Sequence, residues 1–110
     1  MATHKRTIEV SDATFERYVL GTEKPVLLDF GAEWCPPCKV MIPVLEELAA
    51  EYENKALIAK LDVDVNPVTA AQFKVRNLPT MLVLKGGQVV ERIVGAVPKK
   101  VLAEKLAQHL

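Results

Sequence analysis

Cys35 and Cys38, the only two cysteines in the chain, stand three apart in the run Trp34-Cys35-Pro36-Pro37-Cys38-Lys39. One turn of helix brings residues at that spacing within disulfide reach. A bridge that closes so short a loop gains only about 2 kcal/mol from chain entropy. Such a bond adds little to a fold, which makes the pair better suited to being made and broken than to stapling. The run follows the apolar stretch Val26 to Phe30 and leads into a helical pattern, so Cys35 is expected at a helix N-terminus. Unpaired N–H groups and the positive end of the helix dipole favour a thiolate there. Cys38, one turn inside, is expected to be the less exposed. That asymmetry predicts roles in thiol–disulfide exchange: Cys35 attacks a substrate disulfide and Cys38 resolves the mixed disulfide.

Metal binding competes poorly for this pair. Zinc needs about four ligands, and only His4 and His109, near opposite ends of the chain, could join the cysteines. Haem attachment needs a histidine after Cys38, where Lys39 stands. No metal is expected.

Asp29 is the second residue whose setting could do chemistry. A carboxylate within an apolar strand costs several kcal/mol unless it is paired or protonated, and desolvation should raise its pKa. Lys60, between Ala59 and Leu61, is similarly placed in the next apolar run. The two could form a buried ion pair that merely satisfies itself. The alternative is functional: Asp29 as the general base that takes the Cys38 proton, directly or through water, with Lys60 tuning it.

These residues need elements to hold them. A short strand is expected at Thr7 to Val10, then a helix to about Leu20 with Ser11 and Asp12 as N-cap and first-turn acid. Gly21 ends it. Val26 to Phe30 should be a central strand buried on both faces. Met41, Val44, Leu45, Leu48 and Tyr52 recur at helical spacing, with Pro43 inside the helix as a kink. Ala56 to Leu61 reads as a second buried strand. Asn66-Pro67 offers an N-cap and first-turn proline for a short helix to Phe73. Thr80 to Leu84 and Gln88 to Val94 flank the Gly86-Gly87 hairpin signal. The tail from Pro98 to His109 sets Leu102, Leu106 and Leu110 on one helical face, although Lys99 and Lys100 carry the wrong sign for its first turn. Strands alternating with helices predict an α/β fold: a parallel sheet with helices on both faces and an antiparallel hairpin at one edge.

The totals fit one domain over residues 1–110 with a polar N-terminal arm, 1–6. Fourteen basic residues cancel fourteen acidic ones, which gives no reason to expect nucleic acid or an anionic membrane as partner. No apolar run has the length of a signal peptide or a bilayer span. A cytoplasmic protein is expected, where a cysteine pair usually cycles or binds metal.

With Trp34-Cys35-Pro36-Pro37-Cys38-Lys39 following Val26-Leu27-Leu28-Asp29-Phe30, the chain resembles the thioredoxin family over about Thr7 to His109. Leu78-Pro79-Thr80 resembles that family's cis-proline loop, and Val94-Gly95-Ala96 its second substrate-contact loop. Pro43 is similar to its helix-kinking proline, Asp29 and Lys60 to its buried pair, and Gly87 to its hairpin glycine. The resemblance implies a thioredoxin fold, a five-stranded mixed sheet in the order 1-3-2-4-5 flanked by four helices. It implies a protein-disulfide reductase that needs no bound cofactor, acts on disulfide-bearing proteins and draws electrons from a thioredoxin reductase. A monomer is expected. Trp34, Leu78, Pro79, Gly95 and Ala96 would then form an apolar collar around Cys35, where a substrate segment docks as an added strand beside Pro79.

Two departures stand out. Pro36 replaces the family's usual glycine, which removes an N–H near Cys35 and stiffens the loop, while Pro37 biases Pro36 away from helical geometry. Pro36 and Pro37 therefore tune the redox pair, and a raised potential would turn the reading toward an isomerase or oxidase. A redox-independent binding or chaperone module is the remaining alternative. Gly31 stands where thioredoxins often carry an aromatic. Finally, Asp62-Val63-Asp64-Val65-Asn66 resembles the start of a calcium loop, but Pro67 occupies its required glycine position and Phe73 the place of its glutamate.

Overall fold

Apolar runs become inner strands and alternating runs become edges. In the computed structural model, which describes residues 6–110, the strands are β1 (Ile8–Glu9), β2 (Val26–Gly31), β3 (Leu57–Asp62), β4 (Thr80–Lys85) and β5 (Gln88–Val94). They form one sheet in the order β1-β3-β2-β4-β5, the expected 1-3-2-4-5. Pairing of β3 with β1 and with β2 is parallel, and β4 runs antiparallel to both β2 and β5. The polar arm before Arg6, with His4, lies outside the described residues.

The period of two in each strand divides the core. Leu27, Ile58, Met81, Val83 and Ile93 face the helices α1 (Pro36–Glu51) and α3 (Lys99–Ala107), meeting Met41, Leu45, Leu48, Leu102 and Leu106. Leu28, Phe30, Ala59, Leu61, Leu82 and Leu84 face the other side. There they meet Phe15 and Val19 around a helical segment at Glu16–Leu20, and Ala70 of α2 (Pro67–Gln72). Asp29 and Gly31 share the α1 face of β2 with Leu27.

Local expectations met several corrections. The first helical segment is π-helical over Glu16–Leu20, entered by a turn in which the Ser11 and Thr14 hydroxyls cap each other's backbone N–H groups. Gly21 is required at its end, because a Cβ there would press into the Arg17 carbonyl. Asp12 does not serve that segment. Its carboxylate accepts from the Val68 and Thr69 N–H groups and the Thr69 hydroxyl, at 3.1, 2.8 and 2.7 Å, so it caps α2 from across the fold. Burial pushes the Asp12 pKa up, but these hydrogen bonds outweigh it and hold the carboxyl below its ordinary value. Asn66 makes no cap bond of its own. Its side chain accepts from the Asp12 N–H and donates to the Asp62 carbonyl.

In α3, Leu102 and Leu106 are fully buried but Leu110 is 52 % exposed, because the helix ends at Ala107. The unfavourable cation in its first turn is offset by an ion pair from Lys99 to Glu51, at the C-terminal end of α1. Gly86 and Gly87 both adopt positive φ, +61° and +79°, as a two-residue hairpin turn requires.

The candidate redox site

Strand β2 delivers the chain to the redox pair. It ends at Gly31, and Cys35 becomes the N-cap of α1, its Sγ accepting from the Cys38 N–H at 3.3 Å. Pro36 and Pro37 occupy the first two helical positions, where their missing N–H groups cost no intrahelical bond. Cys35 and Cys38 are joined in a disulfide with Cα atoms 5.2 Å apart.

The expected difference in exposure is absent: Cys35 is 3 % and Cys38 5 % exposed. Ala32 packs in one cluster with the two cysteines, and Val63 and Leu78 pack against that cluster. The asymmetry lies instead in what each cysteine faces. Cys35 lines an open groove of about 450 Å³ with Trp34, Pro36, Pro37, Arg76 and Leu78. Cys38 lines a different cleft, of about 580 Å³, together with Asp29, Gly31, Lys39 and Lys60.

The collar residues sit unevenly around the groove. Trp34 is 66 % exposed, held by a 2.8 Å bond from its indole N–H to Asp64. Leu78 lines the groove and is half-buried. The Leu78–Pro79 peptide is cis, Pro79 is buried, and its carbonyl accepts from the Gly95 N–H at 2.8 Å. That bond ties the Pro79 and Gly95 loops together, with Ala96 exposed beside them. Pro79, Gly95 and Ala96 thus lie next to the groove wall without lining it.

Asp64, Val63, Val75, Arg76 and Asn77 belong to this site and sequence reasoning did not single them out. Asp64 is 30 residues from Trp34 and meets it only because β3 runs parallel beside β2. A sequence signal did exist at Asp64, in the acidic run rejected as a calcium loop. Its real use is a turn, with Asp62 accepting from the Asp64 N–H.

Below the disulfide, Asp29 is 4 % exposed, and among the described residues its Oδ1 has no hydrogen-bond partner. Lys60 stands beside it in register, but no ion pair joins them: the Lys60 ammonium lies 3.6 Å from Glu9, on the edge strand β1. Lying toward the edge lets the ammonium keep more of its hydration, which a buried pair would forfeit. Burial pushes the Asp29 pKa up to about 7; Lys60 opposes that rise and Glu9 adds to it.

His109 is bound at 2.8 Å to Glu91 on β5. Among the described residues, no group of three or more His, Cys, Asp or Glu side chains is arranged to hold a metal ion.

A disulfide at a helix N-terminus, a cis proline beside it and a buried acid below it coincide with what the comparisons found. The family model described as Thioredoxin matches residues 6–108. The chain belongs to the thioredoxin family. It is 52 % identical to Thioredoxin 2 of Chlorobaculum tepidum over 102 residues, 93 % of this chain and 94 % of that protein. It is 49 % identical to the thioredoxin of Synechocystis sp. over 104 residues, 94 % and 97 % of the two chains. It also matches the bifunctional thioredoxin reductase/thioredoxin of Mycobacterium leprae, at 54 % identity over 101 residues, 92 % of this chain and 22 % of that one. The chain is a thiol–disulfide oxidoreductase, a protein-disulfide reductase whose redox centre is its own cysteine pair.

Proposed function

We propose that Cys35 is the attacking and Cys38 the resolving cysteine in the reduction of protein disulfides. One observation carries this division: Cys35 faces the groove that a substrate can enter, while Cys38 faces the cleft that contains Asp29. The Cys35 thiolate displaces one sulfur of the substrate disulfide and bonds to the other. Asp29 takes the Cys38 proton, the Cys38 sulfur bonds to Cys35, and the electron pair of the broken bond leaves on the substrate sulfur. A carboxyl with a pKa near 7 is matched to that task at neutral pH. Lys60 tunes Asp29 from alongside, by charge rather than by contact.

The substrate segment docks against Trp34 and Leu78 and adds as a strand beside Pro79, with Gly95 and Ala96 on the flank. Pro36 and Pro37 tune the pair by withholding two N–H donors, which leaves the Cys38 N–H as the backbone donor at Cys35. The protein acts as a single-domain monomer in the cytoplasm, without a bound cofactor. A thioredoxin reductase supplies its electrons, a reading supported by the name of the Mycobacterium leprae relative, which joins the two activities in one chain. Among the described residues no helix is long and apolar enough to cross a membrane.

Trapping tests the order of attack. Cys38→Ser should accumulate mixed disulfides with protein substrates through Cys35, and Cys35→Ser should accumulate none. Trapping by Cys35→Ser instead would reverse the assignment.

A further inference from the structure

Helix α2 has six residues, too few to hold its own ends. Charges from elsewhere in the chain hold them. Asp12 accepts from the N–H groups of its first turn. At the other end the guanidinium of Arg92, on β5, donates to the Phe73 carbonyl at 2.6 Å. An acid at the start and a cation at the finish both suit the helix dipole, and α2 has no basic residue in its own last turn. Arg92 can reach that carbonyl because it pairs with Leu82 of β4, on the face of the sheet that packs α2.

The chain that follows Phe73 leads to the redox site. Lys74 takes a φ of +56°, in a left-handed position that glycine usually fills. The Lys74 N–H bonds to the Ala71 carbonyl and the Val75 N–H to the Ala70 carbonyl, at 3.1 and 3.0 Å. The chain thus leaves α2 through a turn that a side chain at its centre disfavours. The next residues, Val75 to Leu78, form one wall of the groove that Cys35 faces. The far end of this wall is tied twice: the Pro79 carbonyl accepts from the Gly95 N–H at 2.8 Å, and the Asn77 carbonyl accepts from the Thr80 hydroxyl at 2.6 Å. Arg92 lies near the end of β5 and Gly95 just past it. One stretch of chain, lining no part of the groove, therefore holds its wall at both ends.

We propose that Arg92 is a positioning residue for substrate binding, fixing the Phe73 end of the groove wall so that Val75 to Leu78 meet a protein disulfide already in place. This rests on the reading that a substrate segment docks along that wall. A wall ordered beforehand spares the complex the entropy of ordering it on docking. Without Arg92 the turn at Lys74 opens to other conformations, and each docking event must first close it. A small disulfide that reaches Cys35 without lying along the wall gains nothing from it.

Turnover of insulin with dithiothreitol as reductant, beside exchange with a small aromatic disulfide, tests the proposal. Arg92→Ala should raise KM for insulin about three- to tenfold, the worth of one exposed hydrogen bond. The kcat, the redox midpoint and the rate with the aromatic disulfide should not move. Arg92→Lys keeps a cationic donor and should recover most of the affinity. An unchanged KM overturns the proposal. So does slowing toward both substrates alike, or a loss that Arg92→Lys leaves in full, since either marks a general loosening of the fold. Leu78→Ala run alongside separates the two failures. If it alone raises KM, docking along the wall stands and Arg92 plays no part; if neither variant raises it, the docking reading fails and takes the role of Arg92 with it.

Discussion

Lys60 lies directly beside Asp29 across the β2–β3 pairing, yet its ammonium is turned to Glu9 and leaves Asp29 Oδ1 without a partner among the described residues. The arrangement keeps a positive charge near the carboxyl without neutralising it. Burial is then the dominant influence, and it holds Asp29 at a pKa of about 7 instead of its ordinary 3.8.

A stability cost follows. Between pH 3.8 and about 7 the folded protein holds a proton on Asp29 that the unfolded chain has lost. Stability from this group therefore falls as pH rises through that window and stays lowered above it. Asp29→Asn removes the effect. In urea unfolding the variant should exceed wild type at pH 8 by up to about 4 kcal/mol, with the gain shrinking toward pH 4. Equal midpoints at both pH values would show that Asp29 ionises freely in the folded state.

Asp64 accepts the indole N–H of Trp34, so under the proposed docking its effect on substrate runs through that ring. Asp64→Ala should free the ring, alter Trp34 emission and lower kcat/KM for a protein disulfide by about two- to tenfold, the worth of one hydrogen bond. The effect should fall on KM, with the reduction potential unmoved. A shifted potential would mean that Asp64 reaches the disulfide itself.

The C-terminal helix is anchored by two leucines, not three. Leu102→Ala should cost about 2–5 kcal/mol by leaving a cavity against α1 and the sheet. Leu110→Ala should stay within about 0.5 kcal/mol of wild type. Both should keep full activity in a disulfide-reduction assay.

Pro36 is the departure that bears on direction. A redox titration in dithiothreitol or glutathione buffers, followed by the emission of Trp34 beside Cys35, should give a midpoint near the −270 mV or so known for thioredoxin itself. A midpoint above about −200 mV would mark an isomerase- or oxidase-like potential.

Much of this was legible in the chain because it is local. Val26 to Phe30 announces a central strand by its lack of polar faces, and Trp34 to Lys39 announces a redox pair by spacing alone. Asp29 stood out as an acid where no acid belongs. What stayed hidden depends on contacts distant in sequence. Asp12 read as a first-turn acid and Asn66 as the cap of the helix that follows each, and only the folded chain shows Asp12 capping α2 while Asn66 binds Asp12. Lys60 read as the partner of Asp29, because nothing in the sequence tells that β1 brings Glu9 to its other side. The equal burial of the two cysteines escaped for the same reason: Val63 and Leu78 pack against their cluster from other parts of the chain.

The division of labour between the cysteines is tested most directly by the pH dependence of mixed-disulfide resolution in wild type and Asp29→Asn. A transient species on Cys35, formed with an aromatic disulfide, reports that step alone. The wild-type rate should rise through pH 7 as the Asp29 carboxylate forms, and the variant should be slower at neutral pH but match it at high pH. Superimposed profiles would contradict the account, because Cys38 would then lose its proton without Asp29.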